Sequence, residues 1–172
     1  MDYKLKDKVV AITGGTGGIG SAIVKAFLAE GAKVAFSSRS QEKIDNLLPE
    51  LDAAEGQLWT AICDVTKEDE VKAFVEGASE HFGQLDVMVV NSGYEGETVN
   101  ITDATLDNYM KVFNVNVFGA MYSMKYAARE LLKHESGPIC PALAGGFLTT
   151  HHQGGPVVCF IYSSLLLPTL NS

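Results

Sequence analysis

From Lys8 the chain reads KVVAIT, a short apolar run that ends in glycines and predicts a buried strand. GIGSAIVKAFLAEG follows; Ile19, Ile23 and Phe27, with Ala22 and Ala26, share one helical face, and Gly31 is the stop. KVAFSS is a second strand, and Ser40 caps a helix expected over Gln41–Ala54. QLWTAIC is a third strand. Thr66 and Asp69 form a capping-box pattern ahead of a helix over Lys67–Phe82, with Val71, Phe74, Val75 and Ala78 inward and Gly83 as the stop. LDVMVV is a fourth strand. A loop from Asn91 to Asn100 then leads to one long helix from about Thr105 to Lys133, with the stripe Leu106, Tyr109, Phe113, Val117, Met121, Met124, Ala128 and Leu132. Strands alternating with helices of this length predict an α/β fold: a doubly wound parallel sheet covered on both faces, with right-handed crossovers.

At 172 residues, with 47% hydrophobic and 20% charged, the chain is sized for one globular domain. Its net charge of -8 argues against nucleic acid or an anionic membrane as partner. Three cysteines without a C-x-x-C favour a reducing, cytoplasmic setting over a disulfide framework. MDYKLKDKVV has no signal-peptide apolar core, and Val157–Leu167 is too short to span a bilayer. No metal site is expected. His151 and His152 are adjacent and would point apart on a strand, without regular ligand spacing. Composition also divides the chain: every one of the 13 Lys+Arg and 21 Asp+Glu lies in residues 1–135, and none in 136–172. At ordinary usage such a gap has a chance on the order of 10⁻⁵. The expected division is therefore one domain over 1–137 and an atypical uncharged tail over 138–172.

The turn between the first strand and first helix is TGGTGGIG, Thr13–Gly20, in which Gly15, Gly17 and Gly20 satisfy G-x-G-x-x-G. A strand before and a helix after are the context this pattern needs. Glycines let the backbone approach a pyrophosphate, and the helix N-terminus supplies N–H groups and a positive dipole. A P-loop's Gly-Lys-Ser/Thr is missing, which disfavours a nucleoside triphosphatase.

Thr13-Gly14-x-x-x-Gly18-x-Gly20 resembles the cofactor motif of the short-chain dehydrogenase/reductase family. So do Asp64-Val65 of CDVT after the third strand, VNSG (Val90–Gly93) after the fourth, and NVFG (Asn116–Gly119) in the long helix. The resemblance covers about residues 5–135 and departs mildly at Val90 and Ser92. It implies a Rossmann-like sheet, here incomplete at its C-terminal side, and hydride transfer between a nicotinamide and a small carbonyl or alcohol. It places Gly14, Thr16, Gly18, Ile19, Gly20, Asp64, Val65, Asn91, Ser92 and Gly93 on the cofactor, with Asp64 at the adenine. Asn116 would support a proton relay.

The end of the second strand selects the cofactor. A carboxylate there accepts from a ribose 2′-OH and repels a 2′-phosphate. The sequence has Ser37-Ser38-Arg39-Ser40 instead. Arg39 can grip a phosphate bidentately and Ser38 can donate to it, so NADP is expected, with NAD the alternative.

The resemblance also implies a catalytic Tyr-x-x-x-Lys and a Ser. A tyrosine, ordinarily near pKa 10, works at neutral pH only beside positive charge. Here the residues four positions after Tyr3, Tyr94, Tyr109, Tyr122, Tyr126 and Tyr162 are Asp7, Thr98, Phe113, Tyr126, Glu130 and Leu166, and no lysine follows Lys133. A fifth strand would be expected to end near residue 143. Either GGPVVCFIYSS is that strand displaced, with Ser164 as the serine, or its likeness is accidental; the missing charges favour accident. The family-like sequence thus runs to about Gly137, and the remainder reads as a truncation, a frameshift or translated intron. Without later strands, LDVMVV would be an apolar edge unless the tail covers it, and the chain marginally stable or dependent on association, through the helix 105–133. Three functions are expected in order: an NADP-dependent oxidoreductase, impaired in this chain; a non-catalytic dinucleotide-binding module or partner subunit; or a non-functional product.

Overall fold

The computed structural model describes residues 4–133 and the backbone of 157–160. Five strands, β1 (Val9–Ile12), β2 (Lys33–Ser38), β3 (Leu58–Ile62), β4 (Val87–Val90) and β5 (Val157–Phe160), form one sheet in the order β3-β2-β1-β4-β5. Every pairing is parallel. The order turns back at β1: β2 and β3 build to one side and β4 and β5 to the other. This opens a crevice beyond the carboxyl ends of β1 and β4, where a doubly wound sheet binds ligands.

Alternate β1 residues serve opposite cores. Val10 and Ile12 pack with Val34, Phe36 and Val89 beneath α1 (Gly18–Ala29) and α2 (Gln41–Leu47). Val9 and Ala11 pack with Ala35, Met88 and Val90 beneath α3 (Glu68–Phe82) and α5 (Gly119–Leu132). Val71, Phe74, Val75 and Ala78 of α3 face inward as expected, and Gly83 closes the helix at φ 87. Across the α3–α5 seam, the Glu68 carboxylate accepts from Lys125 Nζ at 2.6 Å and the Tyr126 hydroxyl at 2.9 Å. Those bonds, Lys125 first, hold its carboxyl below the ordinary value of 4.5. The tie is therefore whole at neutral pH and is lost as pH falls through that depressed value.

Several local expectations are corrected. The helix after Ser40 ends at Leu47 and tightens into a 3₁₀ turn over Leu48–Glu50, rather than reaching Ala54. Pro49 has no N–H to continue the ladder. The inward face of α1 is Gly20, Val24 and Leu28. Ile23 and Phe27 are half-buried, and Ala22 and Ala26 are exposed. Gly20 sets this rotation, because a Cβ there would lie 2.1 Å from the Gly14 carbonyl oxygen, so this residue must face the loop. The capping box does not form: the Thr66 hydroxyl donates to Asp64 at 2.8 Å, and Lys67 is the N-cap of a helix starting at Glu68.

The long helix is α4 (Leu106–Phe113), a π-helical turn over Asn114–Phe118, and α5. Most of its expected apolar stripe faces outward: Leu106, Phe113, Met121 and Leu132 are 75%, 54%, 53% and 69% exposed, while Met124 packs against the core. Asn108, Asn116, Gly119, Ser123 and Ala127 face inward instead. A Cβ on Gly119 would meet Val65 at 2.9 Å, so small residues on this side let the helix approach the sheet.

Within the late apolar run, Val157–Phe160 form a strand. They pair in register with β4, Val87↔Val157 through Val90↔Phe160, and cover its edge.

At the amino ends of β1 and β4, the buried Asp86 carboxylate accepts from Val9 N–H at 2.9 Å, Lys8 Nζ at 2.9 Å and Gln84 Nε2 at 2.7 Å. Removing a buried acceptor of charged and backbone donors leaves them unsatisfied. Asp86→Ala is expected to lower unfolding free energy by about 2–4 kcal/mol in a urea titration, far more than Asp69→Ala on the surface.

Candidate functional site

Four strand ends meet at the carboxyl edge of the sheet. After β1, Thr13 N–H donates to Val89 O, while Thr13 Oγ1 accepts from the backbone N–H of Asn91 at 3.1 Å and of Ser92 at 3.2 Å. Asn91 Nδ2 donates back to the carbonyls of Thr13 at 3.1 Å and Gly14 at 3.0 Å. The glycine loop is thereby stitched to the end of β4. Its other side is held to β2, where Gly15 N–H donates to Ser37 O at 2.9 Å and Thr16 Oγ1 meets Ser38 Oγ at 2.8 Å. A Cβ on Gly15 would lie 2.6 Å from Phe36 Cβ, so only glycine lets the loop lie this close.

These segments enclose a cavity of about 770 Å³. Every residue assigned to the dinucleotide from the sequence lines it: Gly14, Thr16, Gly18, Ile19, Gly20, Ser38, Arg39, Asp64, Val65, Asn91, Ser92 and Gly93. Gly17 of the glycine pattern and Ser40 of the Ser37–Ser40 run also line it, as do Lys43, Cys63 and Val115, which were not anticipated. A signal for Lys43 was available: it stands three residues after the α2 cap, Ser40, and its N–H donates to the Ser40 hydroxyl. Asn116 is not on the cavity wall; it is buried behind it, bonded to the Tyr94 peptide. Ser164 lies outside the described residues.

Partial burial pushes the Asp64 carboxyl up. Hydrogen bonds from Thr66 N–H and Oγ1–H, with the charges of Arg39 and Lys67, outweigh it and hold Asp64 below its ordinary value of 3.8. Cys63 goes the other way: burial, then the charges of Glu70 and Asp64, push its thiol up to about 12. It remains protonated at neutral pH and is a packing residue rather than a nucleophile.

A family model for short chain dehydrogenases matches residues 8–142. The chain belongs to the short-chain dehydrogenase family. It is 39% identical over 139 residues to the uncharacterised oxidoreductase YvrD of Bacillus subtilis, covering 81% of this chain and 52% of that one. It is 35% identical over 137 residues to zerumbone synthase of Zingiber zerumbet, covering 79% and 51%. Its fold matches the 3-ketoacyl-(acyl-carrier-protein) reductase from Brucella melitensis complexed with NADH, with a TM-score of 0.70 and 27% identity over 76% of this chain and 53% of that one. The chain spans about half the length of the curated relatives it matches.

Short-chain dehydrogenases work with a nicotinamide dinucleotide, and the cavity has the features one requires. No side chain caps α1, so its first-turn N–H groups are open to an anion. Gly18 has nothing within 4 Å of its Cβ direction, which leaves room for a phosphate against the backbone. Asn91 lines the cavity, and its buried Oδ1 lacks a hydrogen-bond partner among the described residues. Among the described residues no group of His, Cys, Asp and Glu is arranged to hold a metal, and no helix is long and apolar enough to cross a membrane.

The glycines separate fold from cavity. Gly20→Ala drives a Cβ into the Gly14 carbonyl and is expected to lower stability by about 2–4 kcal/mol, whereas Gly18→Ala leaves it unchanged or slightly raised. Thermal denaturation of the pair checks this.

Proposed function

We propose that this chain is the NADP-binding part of a short-chain oxidoreductase, one that moves hydride between the nicotinamide and a small carbonyl or alcohol. The observation that carries the NADP reading is the charge at the end of β2. Arg39 and Lys43 both line the cavity there, beside the Thr16–Ser38 hydroxyl pair, and neither forms an ion pair among the described residues. A ribose 2′-phosphate would find two cations and hydroxyl donors and no carboxylate at that strand end. Beside them Asp64, kept ionised, presents an acceptor for the adenine amino group, and the open first turn of α1 receives the pyrophosphate. The bound nicotinamide supplies the hydride; the residues described bind and orient it.

Turnover is a separate matter. The proton for the substrate oxygen is the task of a tyrosine beside a lysine, and no Tyr-x-x-x-Lys occurs in this sequence. Binding without turnover is accordingly the function proposed for these residues, and the complete oxidoreductase activity belongs to a chain that carries the missing pair. NADPH is expected to bind at least about tenfold tighter than NADH, and Arg39→Ala to erase that margin while leaving NADH affinity unchanged. Titration calorimetry with both nucleotides decides it; equal affinity of the unmodified chain for the two sinks the NADP reading.

The outward stripe of α4 and α5 supports a second proposal, that a second copy of this chain covers it. Asp107 stands in the first turn of α4 and Arg129 in the last turn of α5, so an antiparallel pair of copies sets acid against base at both ends. Sedimentation is expected to find a dimer, and Phe113→Asp with Met121→Asp a monomer of unchanged far-ultraviolet circular dichroism. A monomeric unmodified chain refutes it.

A further inference from the structure

We propose that Asn108 is a positioning residue for the dinucleotide cavity, holding the far end of the loop that walls it after β4; this rests on the dinucleotide reading above. The loop is pinned at intervals of three residues. At Asn91 and Ser92 the backbone is bonded to Thr13. At Tyr94, Asn116 pairs with both main-chain polar groups of the residue: its Oδ1 accepts from Tyr94 N–H at 2.8 Å and its Nδ2 donates to Tyr94 C=O at 2.8 Å. At Glu97, Asn108 repeats the arrangement, its Oδ1 accepting from Glu97 N–H at 3.0 Å and its Nδ2 donating to Glu97 C=O at 3.5 Å. The loop therefore runs antiparallel to the helix, fastened to it by two side-chain amides that imitate strand pairing. Between the clamps Gly96, at φ 87, lies so close that a Cβ would meet Val112 Cγ2 at 2.9 Å and Asn108 Oδ1 at 3.1 Å.

The orientation of α4 is what makes Asn108 more than a surface amide. It is buried at 6% exposure on a helix whose Leu106, Tyr109, Met110 and Phe113 are all exposed. Burying an amide and exposing four apolar side chains is unfavourable unless that amide is fully used. Both of its polar atoms are, and Thr105 Oγ1 caps the helix on the N–H of the same residue at 3.2 Å. Ser92 and Gly93 line the cavity between the first and second pins, with Val115 of the π turn beside them. Loss of the third pin frees Glu95–Glu97 and leaves the Tyr94 clamp as the loop's one remaining side-chain amide tie to the helix. The wall lies away from Arg39 and Lys43, so Asn108 acts on the part of the ligand beyond the adenosine.

Two readouts test this on the full chain. The first compares NADPH with adenosine 2′,5′-bisphosphate, which occupies only the adenosine end. Asn108→Ala is expected to weaken NADPH roughly tenfold and the fragment not at all, and Asn108→Asp, which keeps the acceptor and loses the donor, to weaken NADPH by less. Equal weakening of both ligands, as mere loss of folded protein would give, overturns the proposal, as does unchanged NADPH affinity. The second readout needs no ligand and so survives failure of the dinucleotide reading. In Asn108→Ala, hydrogen exchange at the Gly93 and Tyr94 amides is expected to quicken roughly tenfold with α3 amides unchanged. Unchanged exchange at Gly93 and Tyr94 overturns the proposal even where NADPH binds. Failure of the unmodified chain to bind NADPH, with Gly93 and Tyr94 quickened, overturns the dinucleotide reading and sustains the clamp.

Discussion

The approach of Gly20 to the carbonyl of Gly14 governs the upper edge of this molecule. The 2.1 Å left for a Cβ makes glycine obligatory at the base of α1 and fixes the helix rotation, so that Val24 and Leu28 enter the core. It brings the uncapped first turn over the crevice between β1 and β4. The same Gly14 carbonyl accepts from Asn91 Nδ2 at 3.0 Å, so the loop, the helix and the end of β4 share one junction. A shift of any of the three would move the cavity lining at Gly14, Gly20 and Asn91.

The order of strands and helices, and the residues around the cavity, were legible in the sequence because each signal was local. An apolar run before TGGTGGIG specifies a strand, a turn and a helix without reference to anything distant. Asp64, Arg39 and Asn91 each stand within two residues of a strand end and are carried to the same edge by parallel pairing. What was not legible depended on tertiary contact. The periodicity of α1 pointed to Ile23 and Phe27, and the close contact at Gly20 overrode it. The apolar stripe from Leu106 to Leu132 obeyed the rule for a buried face and is mostly exposed, because Asn108 and Asn116 turn the opposite side to the loop and Gly119 lets that side approach Val65. Amphipathicity tells which residues share a face and not which face the rest of the chain takes. The pairing of Val157–Phe160 with β4 escaped a reading based on missing charges, although strands of a parallel sheet ordinarily read as near-continuous apolar runs.

The π turn at Asn114–Phe118 joins these findings. It lengthens one turn of the helix between the two asparagines and passes Asn116 to the Tyr94 peptide while Asn108 meets Glu97. An insertion of this kind is costly in an isolated helix and recurs where a side chain must be aimed. Here it is offset by four amide hydrogen bonds to the loop.

The Asp86 carboxylate sits at the amino ends of β1 and β4, the length of the sheet away from the glycine loop. Its bonds to Val9, Lys8 and Gln84 lock the two central strands together from below, with no part in the cavity. Such separation leaves the carboxyl edge free to vary. A lineage could exchange Arg39 for an acid, or recast Ser92 and Gly93 for another ligand, and draw on the reserve held at the opposite edge rather than unfold with each trial. Adaptability in this chain is thus inherited from three hydrogen bonds that never meet a ligand.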